Sequence, residues 1–171
     1  MRPTKISSDA EGRAGLGYTN SALFPHTDRS GIERPPRALL FVMHRPCPIG
    51  GDSLLVHGDD IVARLLDRRP QALDVLTEAE CLFFRGDDFV RKPVLAHRDD
   101  GRFDWRFRFD SMGFFPRDLI DVLPELLDAI REATIRFALR RGQAFLVDNH
   151  RALHGRTGFV GSREGWRFLA A

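Results

Sequence analysis

The chain has 171 residues, 43% of them hydrophobic and 29% charged, which is typical of one globular domain and excludes a disordered chain. Its formal net charge of +2 argues against a nucleic-acid partner, and no apolar run is long enough to be a signal peptide or to cross a membrane. Two cysteines do not make a disulfide framework. Because no signal peptide or membrane-spanning run is visible, the sequence predicts a soluble, cytoplasmic protein.

The N-terminal third is predicted to hold an arm and three strands. Polar residues with scattered charge predict a flexible arm over 1–17, followed by a single domain over 18–171. A short strand is expected to end at 26–28, and a loop with one glycine and two prolines follows it. The apolar run 38–43 predicts a strand buried on both faces, and 53–56 is again extended after a turn.

The next segment is predicted to be helical. Asp59 or Asp60 is expected to cap a helix that continues to about Arg69, and 72–76 adds a further helical turn. Apolar side chains in this segment recur at helical spacing, which predicts that one face of the helix packs on the core.

Strands dominate the middle of the chain. They are expected at 81–84 and 90–97, before an Asp-Gly pair at 100–101 that is typical of a hairpin turn. Aromatic and charged residues then alternate strictly over 102–110, which is the clearest strand pattern in the sequence.

The last third is predicted to hold a long helix over 117–139, a strand over 143–147 and a final strand over 166–169. Many short strands with one long late helix predict a mainly β fold with helices. We expect a double-stranded β-helix, or jelly roll.

His26 and Asp28 form a His-x-Asp pair, and His154 lies far along the chain. Because residues i and i+2 of a strand point to one face, both side chains of the pair can reach a single metal ion. If His154 arrives from another strand, the set is a facial triad, the ligand arrangement of non-haem Fe(II) oxygenases. Two alternatives stay open. The pair could lie in a solvated loop, or the metal could be zinc, which more often takes three or four His and Cys ligands.

Three stretches of the chain resemble a known family in their order and spacing. They are 18–28, 50–56 and 148–157, and the first and last contain the His-x-Asp pair and the distal His. They are similar to the taurine dioxygenase superfamily, in the clavaminate synthase-like and γ-butyrobetaine hydroxylase-like branch of Fe(II)/2-oxoglutarate-dependent oxygenases. The resemblance covers about 18–169 and implies a jelly roll that uses Fe(II), 2-oxoglutarate and O2.

The resemblance also implies roles for single residues. His26, Asp28 and His154 look like the iron ligands. Arg167 looks like the arginine that binds the distal carboxylate of the 2-oxoglutarate cosubstrate, which suits a planar guanidinium. Ser53 looks like the hydroxyl that contacts the same carboxylate, although a serine that merely opens a strand is the alternative.

Other residues have competing interpretations. Arg163 competes with Arg167 for the cosubstrate, but its position suits an exposed turn better. Arg156 either orients the site or forms a surface ion pair, and Asp110 and Arg156 are candidate substrate contacts. His150 is a candidate for supporting the distal ligand.

The implied activity is hydroxylation or desaturation of a small metabolite, such as an amino-acid derivative, with release of succinate and CO2. Family members usually have a longer segment before the His-x-Asp motif, so we expect an N-terminally short jelly roll. It would be a natural short form, the product of a misplaced start, or a protomer that borrows a strand from its neighbour in a homodimer. The first alternative is a non-catalytic module that binds metal or 2-oxoglutarate, or that acts as an interaction subunit. The second is a cupin-type enzyme that uses zinc or manganese.

Overall fold

Short antiparallel strands with helices between them make up the fold. The computed structural model describes residues 3–8 and 16–171. The strands are β1 (Thr4–Ser7), β2 (Leu23–His26), β3 (Ala38–Arg45), β4 (Ile49–Gly50), β5 (Ser53–His57), β6 (Cys81–Arg85), β7 (Asp88–Lys92), β8 (Leu95–His97), β9 (Phe103–Trp105), β10 (Gly113–Phe114), β11 (Ile135–Phe137), β12 (Ala144–Asp148), β13 (Ala152–Arg156), β14 (Phe159–Val160) and β15 (Glu164–Ala170). The α-helices are α1 (Gly58–Arg68), α2 (Ala72–Glu78), α3 (Arg117–Ile120) and α4 (Leu123–Ala133), and a 3-10 turn covers Leu16–Tyr18.

Eight of the strands form two four-stranded antiparallel sheets that face each other. The strand order is β1-β15-β3-β12 in the first sheet and β11-β5-β13-β2 in the second. Residues of both sheets line one cavity, and the rings of Phe145 on β12 and His154 on β13 lie 6.5 Å apart between them. This arrangement is a double-stranded β-helix, so the predicted jelly roll is confirmed.

Helices α1 and α4 cover the second sheet on the side away from the cavity. Ile61 and Leu65 lie one turn apart on α1, as do Leu126 and Ile130 on α4, and all four side chains are fully buried in the main core with Val56 of β5. Burying one such side chain stabilises the fold by about 1.5–3 kcal/mol. This apolar layer therefore fixes the position of β5 and β13, the strands that carry several site residues.

Most of the predicted strands and the first helices lie where the sequence placed them. The run 38–43 lies within β3 and 53–56 within β5, and helices α1 and α2 cover the predicted helical segment. Gly101 takes a positive φ of 76° in the turn between β8 and β9, as the Asp-Gly signal indicated. Among the described residues, no helix is both long and apolar enough to span a membrane.

Two predictions about helices were wrong. The helix expected over 117–139 is divided into α3 and α4, and it ends at Ala133 because the next residues pair with β5 as strand β11. The N-cap of α1 is also not an aspartate: the ring Nδ1 of His57 accepts a hydrogen bond from the Asp59 amide at 3.3 Å. A long-range strand pairing thus decides the first boundary, whereas a local cap by His57 decides the second.

The alternating segment 102–110 is a strand only over β9. Beyond Trp105 the amides have other partners: the Arg106 amide donates to the Val94 carbonyl at 2.8 Å, and the Phe107 amide donates to Thr27 Oγ1 at 3.0 Å in the loop that follows β2. The alternation of side chains nevertheless holds, since Trp105 and Phe107 are buried at 3% and 0% exposure. The period-2 pattern thus predicted the burial of these two aromatic residues, but not the outcome for Phe109, which is 42% exposed.

The N-terminal segment differs from the flexible arm expected over 1–17. Thr4–Ser7 is an edge strand that pairs with β15, with Thr4 opposite Arg167, and Ile6 is buried. The expectation is therefore wrong for these four residues, because β15 offers an open edge whose backbone groups the segment can pair with. Residues 1, 2 and 9–15 lie outside the described part of the chain.

Candidate active site

A cavity of about 620 Å³ lies between the two sheets. All the candidate site residues named from the sequence, apart from His150, line it. Its walls include Leu16, Gly17, Tyr18, Thr19, His26, Asp28, Phe41, Ser53, Arg108, Asp110, Phe145, His154, Arg156, Arg163 and Arg167. The topology therefore brings the separate motifs of the sequence into one cavity.

His26 and His154 face each other on neighbouring strands. His26 ends β2, His154 lies in the middle of β13, and the two residues are direct partners in the antiparallel register. Their ring centroids are 4.7 Å apart. The expectation that the distal histidine comes from another strand is confirmed.

Both imidazoles are held in the neutral form. Burial lowers the pKa of His154 to about 3, and the neighbouring His26 adds to this effect. Burial also lowers the pKa of His26, although Asp28 opposes the shift. Neutral imidazole is the form that ligates metal ions.

The surroundings of the two rings leave nitrogen lone pairs available. Nδ1 of His26 donates to the carbonyl of Phe24 at 2.9 Å, so its Nε2 carries the lone pair. Nδ1 of His154 is sealed from solvent and has no hydrogen-bond partner among the described residues. A buried polar atom without a partner is costly, and a cation beside His26 would relieve that cost.

Asp28 follows β2 and is buried at 6% exposure. Its amide donates to Asn149 Oδ1 at 2.6 Å, and Asn149 Nδ2 donates back to the Asp28 carbonyl at 3.0 Å. Asn149 is fully buried, so it fixes the backbone of the metal motif to the turn before β13. Sequence reasoning did not assign this role to Asn149; its only signal was its place in the stretch that contains the distal His.

The carboxylate of Asp28 pairs with Arg167. Nη1 of Arg167 donates to both carboxylate oxygens, at 3.0 and 2.9 Å. Burial alone would raise the pKa of Asp28, but the charge of Arg167, the strongest influence against burial, leaves the pKa lowered. Asp28 is therefore an anion, and it lies close enough to both histidines to interact with them electrostatically.

The three predicted ligands are brought together, with one difference from a closed metal site. No group of three His, Cys, Asp or Glu side chains within 3–8 and 16–171 is arranged to hold a metal ion as it stands, since Asp28 is turned towards Arg167. The unpartnered His154 nitrogen, the two neutral rings and the adjacent carboxylate fit the donor set of a two-histidine, one-carboxylate iron site. A metal ion would therefore compete with Arg167 for the Asp28 carboxylate.

Arg163 is a buried cation with no counter-ion in the part of the chain that the structure describes. It is 5% exposed, its guanidinium carbon lies 5.1 Å from the centroid of the Phe41 ring, and its Nε has no hydrogen-bond partner among the described residues. The expectation of an exposed turn residue was wrong, because the chain after β14 folds inwards over Phe41. Burial lowers the pKa of Arg163, as expected for a charge taken from water without a counter-ion.

Ser53 lies near Arg163 at the start of β5 and is 1% exposed. The link between them is Gly51, with a φ of 71°: a Cβ there would meet Arg163 Cδ at 3.2 Å and the Cys47 sulfur at 2.4 Å. Only glycine therefore allows Arg163 and the turn before Ser53 to approach this closely. A hydroxyl and a guanidinium thus line the same end of the cavity.

Arg156 does not form the surface ion pair that was one of its three predicted roles. It is 4% exposed, and its nitrogens donate to backbone carbonyls of residues 16–21. Burial lowers the pKa of Arg156 to about 10, and the nearby charge of Arg163 contributes. The side chain also stacks over Phe159 at 5.0 Å.

Arg108 and Asp110 form an ion pair inside the cavity. Nε of Arg108 donates to Asp110 Oδ1 at 2.8 Å, a second guanidinium nitrogen donates to Oδ2, and each side chain is 15% exposed. Both charges influence the pKa of His26, which places them beside the histidine pair. The other charged residues of the alternating segment turn away: Asp104 pairs with Arg98, and Arg106 donates to loop carbonyls.

His150 lies outside the cavity lining. Its Nε2 donates to the carbonyl of Pro35 at 3.1 Å, and its amide donates to Asp148 at 3.0 Å. It therefore tethers the loop before β3, and it does not contact His154.

Comparison with known proteins gives a consistent result. The chain is 27% identical to human γ-butyrobetaine dioxygenase over 171 residues, which is 90% of this chain and 44% of that protein. It is 24% identical to rat mitochondrial trimethyllysine dioxygenase, covering 89% of this chain and 41% of the relative. The chain thus spans less than half the length of these curated relatives.

Solved structures share the fold. A complex of asparagine oxygenase with Fe(II), (2S,3S)-3-hydroxyasparagine and succinate superposes with a TM-score of 0.82 at 19% identity, covering 98% of this chain and 56% of that one. The non-haem iron oxygenase OrfP with Fe and α-ketoglutaric acid gives a TM-score of 0.78 at 17% identity, with 99% and 56% covered. The family model described as taurine catabolism dioxygenase TauD, TfdA family matches residues 3–169, and the chain belongs to that family.

Proposed function

We propose that this chain is an Fe(II)/2-oxoglutarate-dependent dioxygenase that hydroxylates or desaturates a small zwitterionic metabolite. The observation that carries the proposal is the neutral His26–His154 pair beside Asp28, in a cavity whose other end holds Arg163, a guanidinium with no counter-ion in the described chain. One end supplies metal ligands and the other supplies an anion site. Such a combination suits a metal that is chelated by a dicarboxylate cosubstrate.

His26, Asp28 and His154 would hold the iron. The Phe24 carbonyl fixes the ring of His26, and Asn149 fixes the backbone of Asp28, so two of the ligands are positioned by hydrogen bonds behind them. Bound Fe(II) supplies the activation of O2, which amino-acid side chains cannot perform. The ion pair with Arg167 favours the ionised form of Asp28, which is the form that ligates a metal.

Ser53 and an arginine would bind the distal carboxylate of the 2-oxoglutarate cosubstrate. Arg167 was the arginine predicted from the sequence, and that assignment stays a prediction. The guanidinium of Arg163 next to Gly51 and Ser53 supports Arg163 as the carboxylate ligand, because Arg167 already holds a carboxylate. Arg167 would then act at the metal end, through Asp28.

Arg108 and Asp110 would recognise the substrate. The two residues form an ion pair beside the histidines. If the pair opens, Arg108 can bind the carboxylate of a substrate and Asp110 can bind its ammonium group. γ-Butyrobetaine and trimethyllysine, after which the two relatives are named, both carry such groups. An amino-acid derivative is therefore the substrate class that we propose.

The remaining walls would exclude water and hold the reactants in place. Phe41 and Phe145 stack with centroids 5.7 Å apart, and Phe145 also lies against His154. Apolar rings around charged groups strengthen the electrostatic interactions of those groups. The protein contribution to the reaction is thus orientation, charge balance and desolvation.

Anaerobic titration of the metal-free protein with Fe(II) and then with 2-oxoglutarate tests the proposal. We expect the weak visible charge-transfer band of the chelate, and on admission of air we expect succinate with an amino-acid substrate panel. The His26→Ala variant should give neither signal. Iron-loaded wild-type protein that binds no 2-oxoglutarate would contradict the proposal.

A second candidate is a binding module without turnover. It is favoured by the Asp28–Arg167 pair, which leaves the metal site incomplete as it stands. This candidate predicts the chelate band without succinate formation for any substrate in the panel. Homodimer formation and a cytoplasmic location stay predictions, and sedimentation equilibrium measures the first.

A further inference from the structure

Arg156 connects the strand of the distal histidine to one wall of the cavity. It lies on β13 two residues after His154 and is buried at 4% exposure. Its Nη2 donates to the carbonyls of Leu16 at 3.0 Å, Thr19, and Ser21 at 3.1 Å; Nη1 donates to Gly17 at 3.2 Å, and Nε to Ser21 at 3.4 Å. Residues 16–21 are called the rim segment below.

The rim segment forms part of the cavity lining. Leu16, Gly17, Tyr18 and Thr19 lie in the wall of the cavity that also holds His26 and His154. Some of its hydrogen bonds are internal, such as Thr19 Oγ1 to the Leu16 carbonyl at 2.9 Å. The Phe159 amide also donates to the Asn20 carbonyl, at 3.1 Å. These bonds shape the segment, while Arg156 ties it to the strand that carries a predicted metal ligand.

The chemistry of this connection requires arginine. A guanidinium has five N–H donors in a fixed planar fork, so one side chain can serve several carbonyl oxygens that diverge along a turn. Lysine offers three donors from one point and cannot span the same set. No carboxylate takes part in the Arg156 hydrogen bonds described above, so the cation is committed to the rim segment and not to a charge pair.

We propose that Arg156 is a positioning residue: it fixes the rim segment relative to His154 and thereby sets which substrates the cavity admits. The statement about substrates rests on the proposed function, whereas the statement about the rim segment does not. Arg156 itself need not touch the cosubstrate.

Hydrogen exchange followed by mass spectrometry tests the structural part. In Arg156→Ala we expect amides in a peptide covering the rim segment to exchange at least tenfold faster, while peptides of α1 and α4 stay unchanged. Millimolar guanidinium ion should restore slow exchange, and methylammonium should not. Arg69→Ala is the matched control, because Arg69 also donates to a backbone carbonyl, that of Asp121 at 2.9 Å, but lies outside the cavity lining. Unchanged exchange of the rim segment in folded Arg156→Ala would overturn the proposal.

Steady-state succinate formation tests the functional part. For Arg156→Lys we expect the KM for the organic substrate to rise about tenfold, while the KM for the cosubstrate stays within twofold of the wild-type value. A tenfold rise in the cosubstrate KM alone would make Arg156 a cosubstrate ligand and would refute the positioning role. If wild-type protein forms no succinate, the proposed function fails, and the exchange experiment still decides the role of Arg156.

Discussion

The two ends of the cavity differ in the charge of their buried polar side chains. At the histidine end the rings are neutral, and a nitrogen of His154 has no partner among the described residues. At the arginine end Arg163 stays a cation without a counter-ion in that same part of the chain, whereas Arg167 is neutralised by Asp28 at the histidine end. Buried groups without partners are costly, so a fold keeps them where a ligand completes them. Among the groups that line the cavity, the unsatisfied ones indicate better than the paired ones where iron and cosubstrate would bind.

Removing a ligand at the histidine end should have the largest effect. We expect His154→Ala to weaken Fe(II) binding by more than about a hundredfold and to abolish succinate formation, because the metal would lose one of three protein ligands. The chelate band measures binding directly. His97→Ala is the control, since His97 is exposed on β8 and does not line the cavity, and it should bind Fe(II) normally. Normal iron binding by His154→Ala would show that the histidine end is not the metal site.

Replacing each of the two arginines by methionine tests whether the unpaired Arg163 or the paired Arg167 binds the cosubstrate. Arg163→Met should raise the Kd for the cosubstrate 2-oxoglutarate by about a hundredfold, since charge-assisted hydrogen bonds contribute about 1.5–3 kcal/mol each. Arg167→Met should raise it by about tenfold or less, because Arg167 is already bonded to Asp28. Anaerobic titration of iron-loaded variants gives both constants. The opposite order of effects would restore Arg167 as the distal carboxylate ligand.

The neutral state of the histidines also predicts a dependence of stability on pH. Their pKa values are lowered on folding, so the stability they contribute is complete above the ordinary value of about 6.5 and is lost as the pH falls towards the folded value, about 3 for His154. Each histidine adds at most about 1.4 kcal/mol per pH unit. Urea unfolding of metal-free protein at pH 7.0 and 5.5, values chosen on either side of about 6.5, measures the difference in the free energy of unfolding between the two pH values. It should shrink in His154→Asn, and a difference unaffected by this change would show that His154 titrates normally.

The sequence predicted the histidine end better than the arginine end for a physical reason. His26 and Asp28 are two residues apart on and just beyond a strand, so a local rule brings their side chains together. The burial of Arg163 depends instead on Phe41, more than a hundred residues earlier in the chain, and on Gly51 leaving room for its side chain. No local pattern reports such contacts.

The same distinction explains the errors in the fold. Core-facing residues such as Trp105 and Phe107 follow from alternation, and they were predicted correctly. Strand β11 was assigned to a helix because Phe137 also fits helical spacing with Ile130 and Thr134, and only pairing with β5 decides between the two. Edge strand β1 is polar and gave no periodic signal, yet its backbone completes the first sheet.

The smallest effect is expected at Ser53, where the arginine end offers a neutral donor beside the cation. Ser53→Ala removes one hydroxyl hydrogen bond, which contributes about 0.5–1.5 kcal/mol, so the Kd for the cosubstrate should rise about threefold to tenfold. Ser53→Thr keeps the hydroxyl and should stay close to wild type if the cavity accommodates the extra methyl group. Both constants come from the same anaerobic titration. If Ser53→Ala binds 2-oxoglutarate as tightly as wild type, the serine only opens β5, and Arg163 would hold the distal carboxylate without it.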